Sequence, residues 1–175
     1  MLSKLLQRLR PGAQPALASV FLREGRLFIQ ASDRTMMRTA GFWVAAGPVE
    51  TLPRSAGPAR VGQAVLDALA RSRVEVPVPE RGADLEAPLR RAAGVRSRKA
   101  LMAGSRACAV NREGGVLRVD AYHNGGTTGE ARGYRPLPEE VTLTVPVDAL
   151  ADEVGRVVLT VLERATVGSD ATAGE

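Results

Sequence analysis

Two residues of this 175-residue chain, Cys108 and His123, are of the types that form a nucleophile and its base. A working thiol–imidazole pair needs a contact of about 3 Å and a lowered thiol pKa. Cys108 stands between two alanines in an apolar run, a pattern that favours a small buried thiol on a strand. We interpret Cys108 as a core residue and expect His123 to end a strand or to contact a partner.

A second candidate for chemistry is the glycine-rich segment 125–129, whose backbone amides could surround a phosphate. It lacks the following helix N-terminus and the lysine that anchor such a group. Phosphate-loop, zinc-protease, Cys-x-x-Cys and nucleophile-elbow motifs are also missing from the sequence. One cysteine excludes an internal disulfide, and one histidine without gathered carboxylates does not make a transition-metal site. We therefore predict a protein that is not an enzyme, with no catalytic residues, no cofactor and no metal.

Charge is the strongest chemical signal in the sequence. Residues 139–175 hold eight acidic and two basic residues, whereas the segment 90–106 holds six bases and no acid. Such a basic segment attracts polyanions or acidic protein surfaces, and it is equally compatible with a solvated arginine-rich surface. Binding to nucleic-acid phosphates needs only clustered Arg and Lys, although single-strand readers add stacked aromatics. The six aromatic residues here are scattered, so a nucleic-acid-associated protein that uses the 90–106 patch is the alternative interpretation.

Two amphipathic segments carry much of the predicted fold. Segment 61–74 aligns with segment 154–167 at an offset of 93 residues, and seven of the fourteen positions are identical. In both segments Val and Leu recur at helical spacing, and each segment follows a β-prone run that ends in proline. Arg23-Glu24-Gly25 and Arg112-Glu113-Gly114 each separate two apolar runs, as hairpin tips do. The pattern predicts either two pseudo-equivalent strand–strand–helix halves or a chance likeness between amphipathic helices.

Shorter elements complete the predicted architecture. Asp84 should cap a helix that reaches about Ala93, and Ser97 should cap another through Met102. Gly47-Pro48 should kink or end a strand. The predicted strands cover residues 17–21, 26–30, 41–45, 106–110, 116–122 and 141–145, with a loop over 31–40 and another over 123–133. The expected fold class is therefore α/β (α+β), with a mixed, mostly antiparallel sheet flanked by helices.

The chain is expected to form a single domain. We predict a flexible N-terminal segment over 1–15, one α/β domain over 16–166 and a disordered tail over 167–175. No apolar run approaches the roughly 18–20 residues that span a bilayer, and the first residues lack a signal-peptide pattern. We expect a cytoplasmic protein that does not bind a membrane.

Four patches, taken in order, resemble a family of bacterial immunity proteins from contact-dependent growth inhibition (CDI) systems. The first is Gly41-Phe42-Trp43-Val44, and the second is the helix 61–73 with the proline-rich exit that follows it. The third is the corner 89–97, which reads Leu-Arg-Arg-Ala-Ala-Gly-Val-Arg-Ser. The fourth joins the loop 124–133 to Pro136-Leu137-Pro138-Glu139. The likeness covers about residues 17–165, and its specificity lies in the order and spacing of the patches.

The resemblance implies a protein that binds one cognate toxin domain, often a nuclease, and covers or distorts its active site. Two docking modes follow from the charges. The acidic C-terminal helix could meet a basic nucleic-acid groove of the toxin, or the bases near residue 98 could enter a carboxylate-rich metal site. The irregular segments 33–43 and 123–134 could contribute to either mode. The predicted partner-binding residues are Arg34, Trp43, Arg96, Arg98, Lys99, His123, Asn124, Arg132, Tyr134, Asp148, Asp152 and Glu153.

Overall fold

Eight strands form one sheet in the computed structural model, which describes residues 14–36 and 41–169. The strands are β1 Ala16–Arg23, β2 Arg26–Arg34, β3 Trp43–Pro53, β4 Arg106–Glu113, β5 Val116–Asn124, β6 Tyr134–Pro136, β7 Leu143–Pro146 and β8 Thr166–Val167. Their order in the sheet is β3-β2-β1-β4-β5, and β6, β7 and β8 all pair with β5. All pairings between these strands are antiparallel except that of β8 with β5, which is parallel.

Helices cover both faces of this sheet. The α-helices of the described residues are α1 Pro58–Arg71, α2 Ala87–Ala93, α3 Arg98–Met102 and α4 Ala151–Arg164. The long helices α1 and α4 pack on one face and bury their Val and Leu stripes against alternate residues of the sheet. The short helices α2 and α3 cover part of the other face, where Leu89 and Leu101 pack around Phe28. The predicted single α/β domain, with a mixed and mostly antiparallel sheet flanked by helices, is confirmed.

The sequence repeat corresponds to a structural one. Helices α1 and α4 have the same length, and their first residues, Pro58 and Ala151, differ by the offset of 93 found in the sequence. A Cβ atom on Gly62 would lie 1.7 Å from the carbonyl oxygen of Ala151, and one on Gly155 would lie 1.8 Å from that of Pro58. Because each glycine faces the equivalent carbonyl of the other helix, the two helices are related by a pseudo-two-fold axis that passes between the glycines. Small residues are required here because the two helix backbones touch.

The sheet follows the same two-fold arrangement. Strands β1 and β4 are the first strands of the two predicted hairpins, and they pair antiparallel at the centre of the sheet. After each long helix the chain returns parallel to the second strand of its hairpin. Arg73–Val76 exchanges backbone hydrogen bonds with Arg34 and Met36, and Thr166–Val167 pairs with the end of β5. The repeated unit is therefore a hairpin, a third strand, a helix and a short parallel return strand.

Some predicted boundaries are wrong for physical reasons. The predicted loop over 31–40 gives way to strand as far as Arg34, with a further bridge at Thr35, because partners satisfy the polar groups of this segment. Ser72 Oγ donates to the carbonyl of Ser32, and the carboxylate of buried Asp33 accepts from the Arg73 backbone and guanidinium. Of the two predicted outcomes for Gly47-Pro48, a kink or a strand end, the structure shows the kink, as a bulge within β3. Residues 37–40 lie outside the described part of the chain.

Two predicted terminal segments fall largely outside the described residues. These are residues 1–13 of the flexible N-terminal segment and 170–175 of the tail. Val167, which was placed in the tail, ends β8, and the amide of Gly168 donates to the carbonyl of Asn124. Among the described helices, none has the length and apolar character needed to cross a membrane.

The helix crossing can be tested by adding one methyl group to either helix. We expect Gly62→Ala and Gly155→Ala each to lower the free energy of unfolding by about 3 kcal/mol, because the new Cβ overlaps a backbone carbonyl that cannot move aside. Urea unfolding followed by circular dichroism measures the change. Gln63→Ala on the exposed side of α1 is the control and should alter stability little. A gain in stability in either glycine variant, as helix propensity alone predicts, contradicts the close crossing.

Candidate functional site

The basic segment is held rigidly at one end of the sheet. Gly94 ends α2 in the left-handed conformation, with φ of 73°, and turns the chain toward α3. Ser97 begins α3 as predicted, since its Oγ accepts from the Ala100 amide at 3.1 Å. Asp84 is not the cap that was predicted for α2, because the N-cap position belongs to Glu86. Arg96, Arg98 and Lys99 are all exposed around this turn.

Part of the positive charge in segment 90–106 is neutralised internally. Arg90 makes two hydrogen bonds to the carboxylate of Asp84, and it lowers the pKa of that carboxyl. The Nε of Arg98 lies 3.4 Å from Glu86 Oε1, and Arg106 donates to the carbonyl of Glu163. Arg91, Arg96 and Lys99 are exposed, with no ion pair to any described residue. These three side chains are the free charges that a partner would meet.

The irregular loop 125–133 is folded back on itself and adjoins this segment. A Cβ on Gly125 would lie 1.8 Å from the carbonyl oxygen of Ala131, so only glycine fits there. The loop is closed by backbone hydrogen bonds in which Gly125 donates to Gly133 and Gly133 donates to Gly126. The chain fills its own turn and then enters strand β6. Arg132 projects from this loop as an exposed residue.

Asn124 fastens the loop to α3 from inside the protein. Its side chain has no exposed surface, and Nδ2 donates to the carbonyl of Met102 at 2.7 Å and to that of Ser105 at 2.8 Å. Its Oδ1 accepts from the amide of Gly126 at 3.0 Å. Asn124 was predicted to bind a partner, but in the structure it lies beneath the surface and supports the residues that are exposed.

Tyr134 strengthens the same junction. Its hydroxyl lies 2.5 Å from Ser105 Oγ, and its ring meets Phe21 edge-on with the centroids 5.5 Å apart. Burial raises the pKa of Tyr134 from its ordinary value of 10.0 to about 12. Arg23, on the strand that carries Phe21, donates to the carbonyl of Ala100 in α3. We call the exposed cations above this junction, Arg91, Arg96, Arg98, Lys99 and Arg132, the basic face.

Two other predicted residues, Arg34 and Trp43, lie at the opposite end of the sheet. The guanidinium carbon of Arg34 is 6.0 Å from the centroid of the Trp43 ring. The first residues of β1 pair with the part of β2 that is close to Arg34, and the last residues of β1 pair with the start of β4 at Arg106. Arg106 directly follows Ser105, which binds Asn124. The whole length of β1 therefore separates the Arg34–Trp43 pair from the basic face.

The acidic residues form a third group. Asp152 and Glu153 occupy the first turn of α4, and Asp148 precedes the helix. Carboxylates in the first turn stabilise a helix through its dipole, and Asp152 also pairs with Arg156 one turn later. The helix dipole and this ion pair give Asp152 and Glu153 a structural explanation that the free cations Arg91, Arg96 and Lys99 lack. The twelve predicted residues are thus divided among three places in the fold.

The candidate nucleophile and base are not arranged for catalysis. Cys108 is 1% exposed, and burial together with the nearby Asp120 carboxylate raises the pKa of its thiol, so the thiol is protonated at neutral pH. His123 Nδ1 lies 2.8 Å from Thr166 Oγ1 of the return strand and makes no hydrogen bond to Cys108. The prediction that Cys108 is a core residue on a strand is confirmed.

Ser105 was not predicted as a site residue. It is 1% exposed, and its hydroxyl contacts both the Tyr134 hydroxyl and Asn124 Nδ2. The only hint in the sequence is its position, a small polar residue between Gly104 and the strand that starts at Arg106. That position does not identify its hydrogen-bond partners, Tyr134 and Asn124, which are distant in the sequence.

Comparison with known proteins identifies the family. A family model described as "CDI immunity protein" matches residues 45–165, more than half of the chain. The chain belongs to the CDI immunity protein family. The match includes α1, the basic segment, the loop 125–133 and α4, so every part of the basic face lies within the region that defines this immunity family. The resemblance seen in the sequence is confirmed.

Two solved structures share the fold of this immunity protein. A protein of unknown function from Neisseria meningitidis aligns with a TM-score of 0.70 and 19% identity, over 87% of this chain and 96% of that one. A chain of the CdiA-CT/CdiI toxin and immunity complex from Yersinia pseudotuberculosis aligns with a TM-score of 0.63 and 15% identity, over 87% of this chain and 98% of that one. Among curated proteins, no match is found.

The junction beneath the basic face can be probed by pH. The buried phenol of Tyr134 is held neutral, so its contribution to stability is complete below pH 10 and is lost as the pH rises from 10 toward 12. We expect wild type to lose about 1 kcal/mol more than Tyr134→Phe between pH 8 and pH 11. Thermal unfolding of both proteins at the two pH values measures this difference. Parallel pH profiles for the two proteins contradict a buried phenol.

Proposed function

We propose that this protein protects its cell by binding a CDI toxin domain, a nuclease, and covering the active site of that domain. The observation that carries the proposal is the family match over residues 45–165. A fold shared with a chain of a toxin and immunity complex supports it. The protein acts by binding and does not catalyse a reaction.

The basic face is the surface best suited to meet the toxin. Its free cations stand on a helix and a loop that internal hydrogen bonds fix in place, and a pre-ordered surface loses little entropy on binding. Arginine is enriched among the residues that dominate binding energy at protein interfaces. The acidic residues of α4 are less suitable, because Asp152 is already paired and the helix dipole accounts for their position.

The chemistry of a nuclease active site complements this face. Nucleases that use metal ions hold them with carboxylates, and these groups attract Arg and Lys when the site is open. Arg96 and Lys99 would approach such carboxylates and occupy the space that a substrate phosphate backbone needs. The opposite charges also accelerate encounter between the two proteins, with an effect that falls as salt rises.

Nucleic-acid binding is the second candidate function, and the basic composition of segment 90–106 favours it. Internal pairing weakens this candidate, since Arg90 and Arg98 face carboxylates and Arg106 faces a carbonyl. Nucleobases of a bound single strand would also need exposed aromatic rings on which to stack. Phe21 and Tyr134, the aromatic residues beneath this face, pack against each other instead.

A charge reversal tests the proposed surface. We expect Arg96→Glu with Lys99→Glu to weaken binding to the toxin domain encoded in the neighbouring reading frame by roughly 100-fold, because two free cations become anions facing carboxylates. Surface plasmon resonance with a catalytically inactive toxin domain measures the affinity. An assay of the active nuclease should show the matching loss of inhibition.

The control reverses charge at the other group. Asp148→Lys with Glu153→Lys changes two exposed anions and should leave affinity within about threefold of wild type. Loss of binding in this control but not in the first variant would place the toxin on α4 and contradict the proposed surface. Tight, salt-sensitive binding of wild type to RNA or DNA, without toxin binding, would favour the second candidate function.

A further inference from the structure

The hydrogen bonds of Asn124 join three segments that are far apart in the sequence. The side chain holds the end of α3 through the carbonyls of Met102 and Ser105, and it holds the loop through the Gly126 amide. Its backbone carbonyl accepts from the Gly168 amide at 2.8 Å and so binds the segment after β8. Every hydrogen-bonding group of the side chain is used, in a place with no exposure to solvent.

The other half of the fold supplies a natural comparison at Thr35. Thr35 stands where a return strand meets β2, as Asn124 stands where β8 meets β5. It is also buried, but among the described residues the bonds of its hydroxyl go only to the backbone of Phe42, at 3.0 and 3.1 Å. The two halves therefore differ here: Thr35 binds the backbone just before β3, whereas Asn124 connects the loop 125–133 to the end of α3.

We propose that Asn124 is a positioning residue for toxin recognition, which it serves by holding α3 and the loop 125–133 in their binding arrangement before the toxin arrives. This inference rests on the proposed function and adds the residue on which the geometry of that surface depends. Without the side chain, the segments that carry Lys99 and Arg132 would lose the direct hydrogen bonds of Asn124 that join them and would be less well ordered. Toxin binding would then have to order these two segments, and this would lower the affinity even though the buried Asn124 does not touch the toxin.

The test compares three variants against the inactive toxin domain, at a temperature well below the unfolding transition of each. Asn124→Ala removes all the side-chain hydrogen bonds of Asn124 to α3 and the loop, and Ser105→Ala removes only the hydroxyl that contacts Asn124, Tyr134 and the Met102 carbonyl. Thr35→Val removes the equivalent buried hydrogen bonds at the other end of the sheet. Stability is measured for each variant by thermal unfolding, and affinity and rates by surface plasmon resonance.

We expect Asn124→Ala to weaken toxin binding by roughly 30-fold and Ser105→Ala by several-fold, while Thr35→Val lowers the unfolding temperature and leaves affinity unchanged. Amide hydrogen exchange in loop 125–133 of the free protein should accelerate in the first two variants only. The slope of association rate against salt should stay at the wild-type value, because no charge is altered. If Asn124→Ala does not fold, Ser105→Ala decides the result.

The outcomes separate this inference from the proposed function. Wild-type affinity in Asn124→Ala and Ser105→Ala, despite lowered stability, overturns the positioning role while leaving toxin binding intact. Equal losses of affinity in Thr35→Val and in the two site variants would show a general effect of stability and overturn it as well. Failure of the wild-type protein to bind the toxin domain would overturn the proposed function and this inference together.

Discussion

The contact between the backbones of α1 and α4 is the constraint on which the rest of the structure depends. Gly62 and Gly155 each face a carbonyl of the opposite helix, and no side chain fits between them. Their close approach fixes how both helices cross the sheet, and therefore where each helix ends. The return strands after the two helices then reach the ends of β2 and β5. The contact of these two glycines with backbone carbonyls, and not a large side chain, thus sets the distance between the helices that cover a core built almost entirely from aliphatic residues.

This pseudo-symmetric frame gives the chain two similar ends with different surfaces. At one end, buried Asp33 anchors the Arg73 guanidinium, and Arg34 lies over Trp43. At the other, the inserted helices α2 and α3 meet the loop 125–133 through Asn124. This insertion lies between the two repeated units, after the return segment 73–76 and before β4, and it carries the free cations Arg91, Arg96 and Lys99. We propose that toxin recognition uses the end of the sheet where this insertion breaks the symmetry.

Features whose causes are local could be predicted from the sequence. The helical spacing of Val and Leu predicted the two long helices, and the serine at 97 predicted the start of α3, because periodicity and capping act within a few residues. The burial of Asn124, the strand at Ser32 and Asp33, and strands β6 and β8 could not be predicted. Each depends on a partner beyond the reach of local sequence patterns, such as Ser105, Arg73 or Thr166. The same limit explains why the predicted site residues fell into three groups.

The proposed toxin surface lies at one end of a two-fold frame, so mapping the contact surface tests it most directly. Amide hydrogen exchange of this immunity protein, free and bound to the inactive toxin domain, measures which backbone segments the toxin covers. We expect slowed exchange in residues 96–102 and 125–133, with no change in 41–46 or 148–156. Protection confined to the latter two segments, with the basic face still exchanging at its free rate, would contradict it.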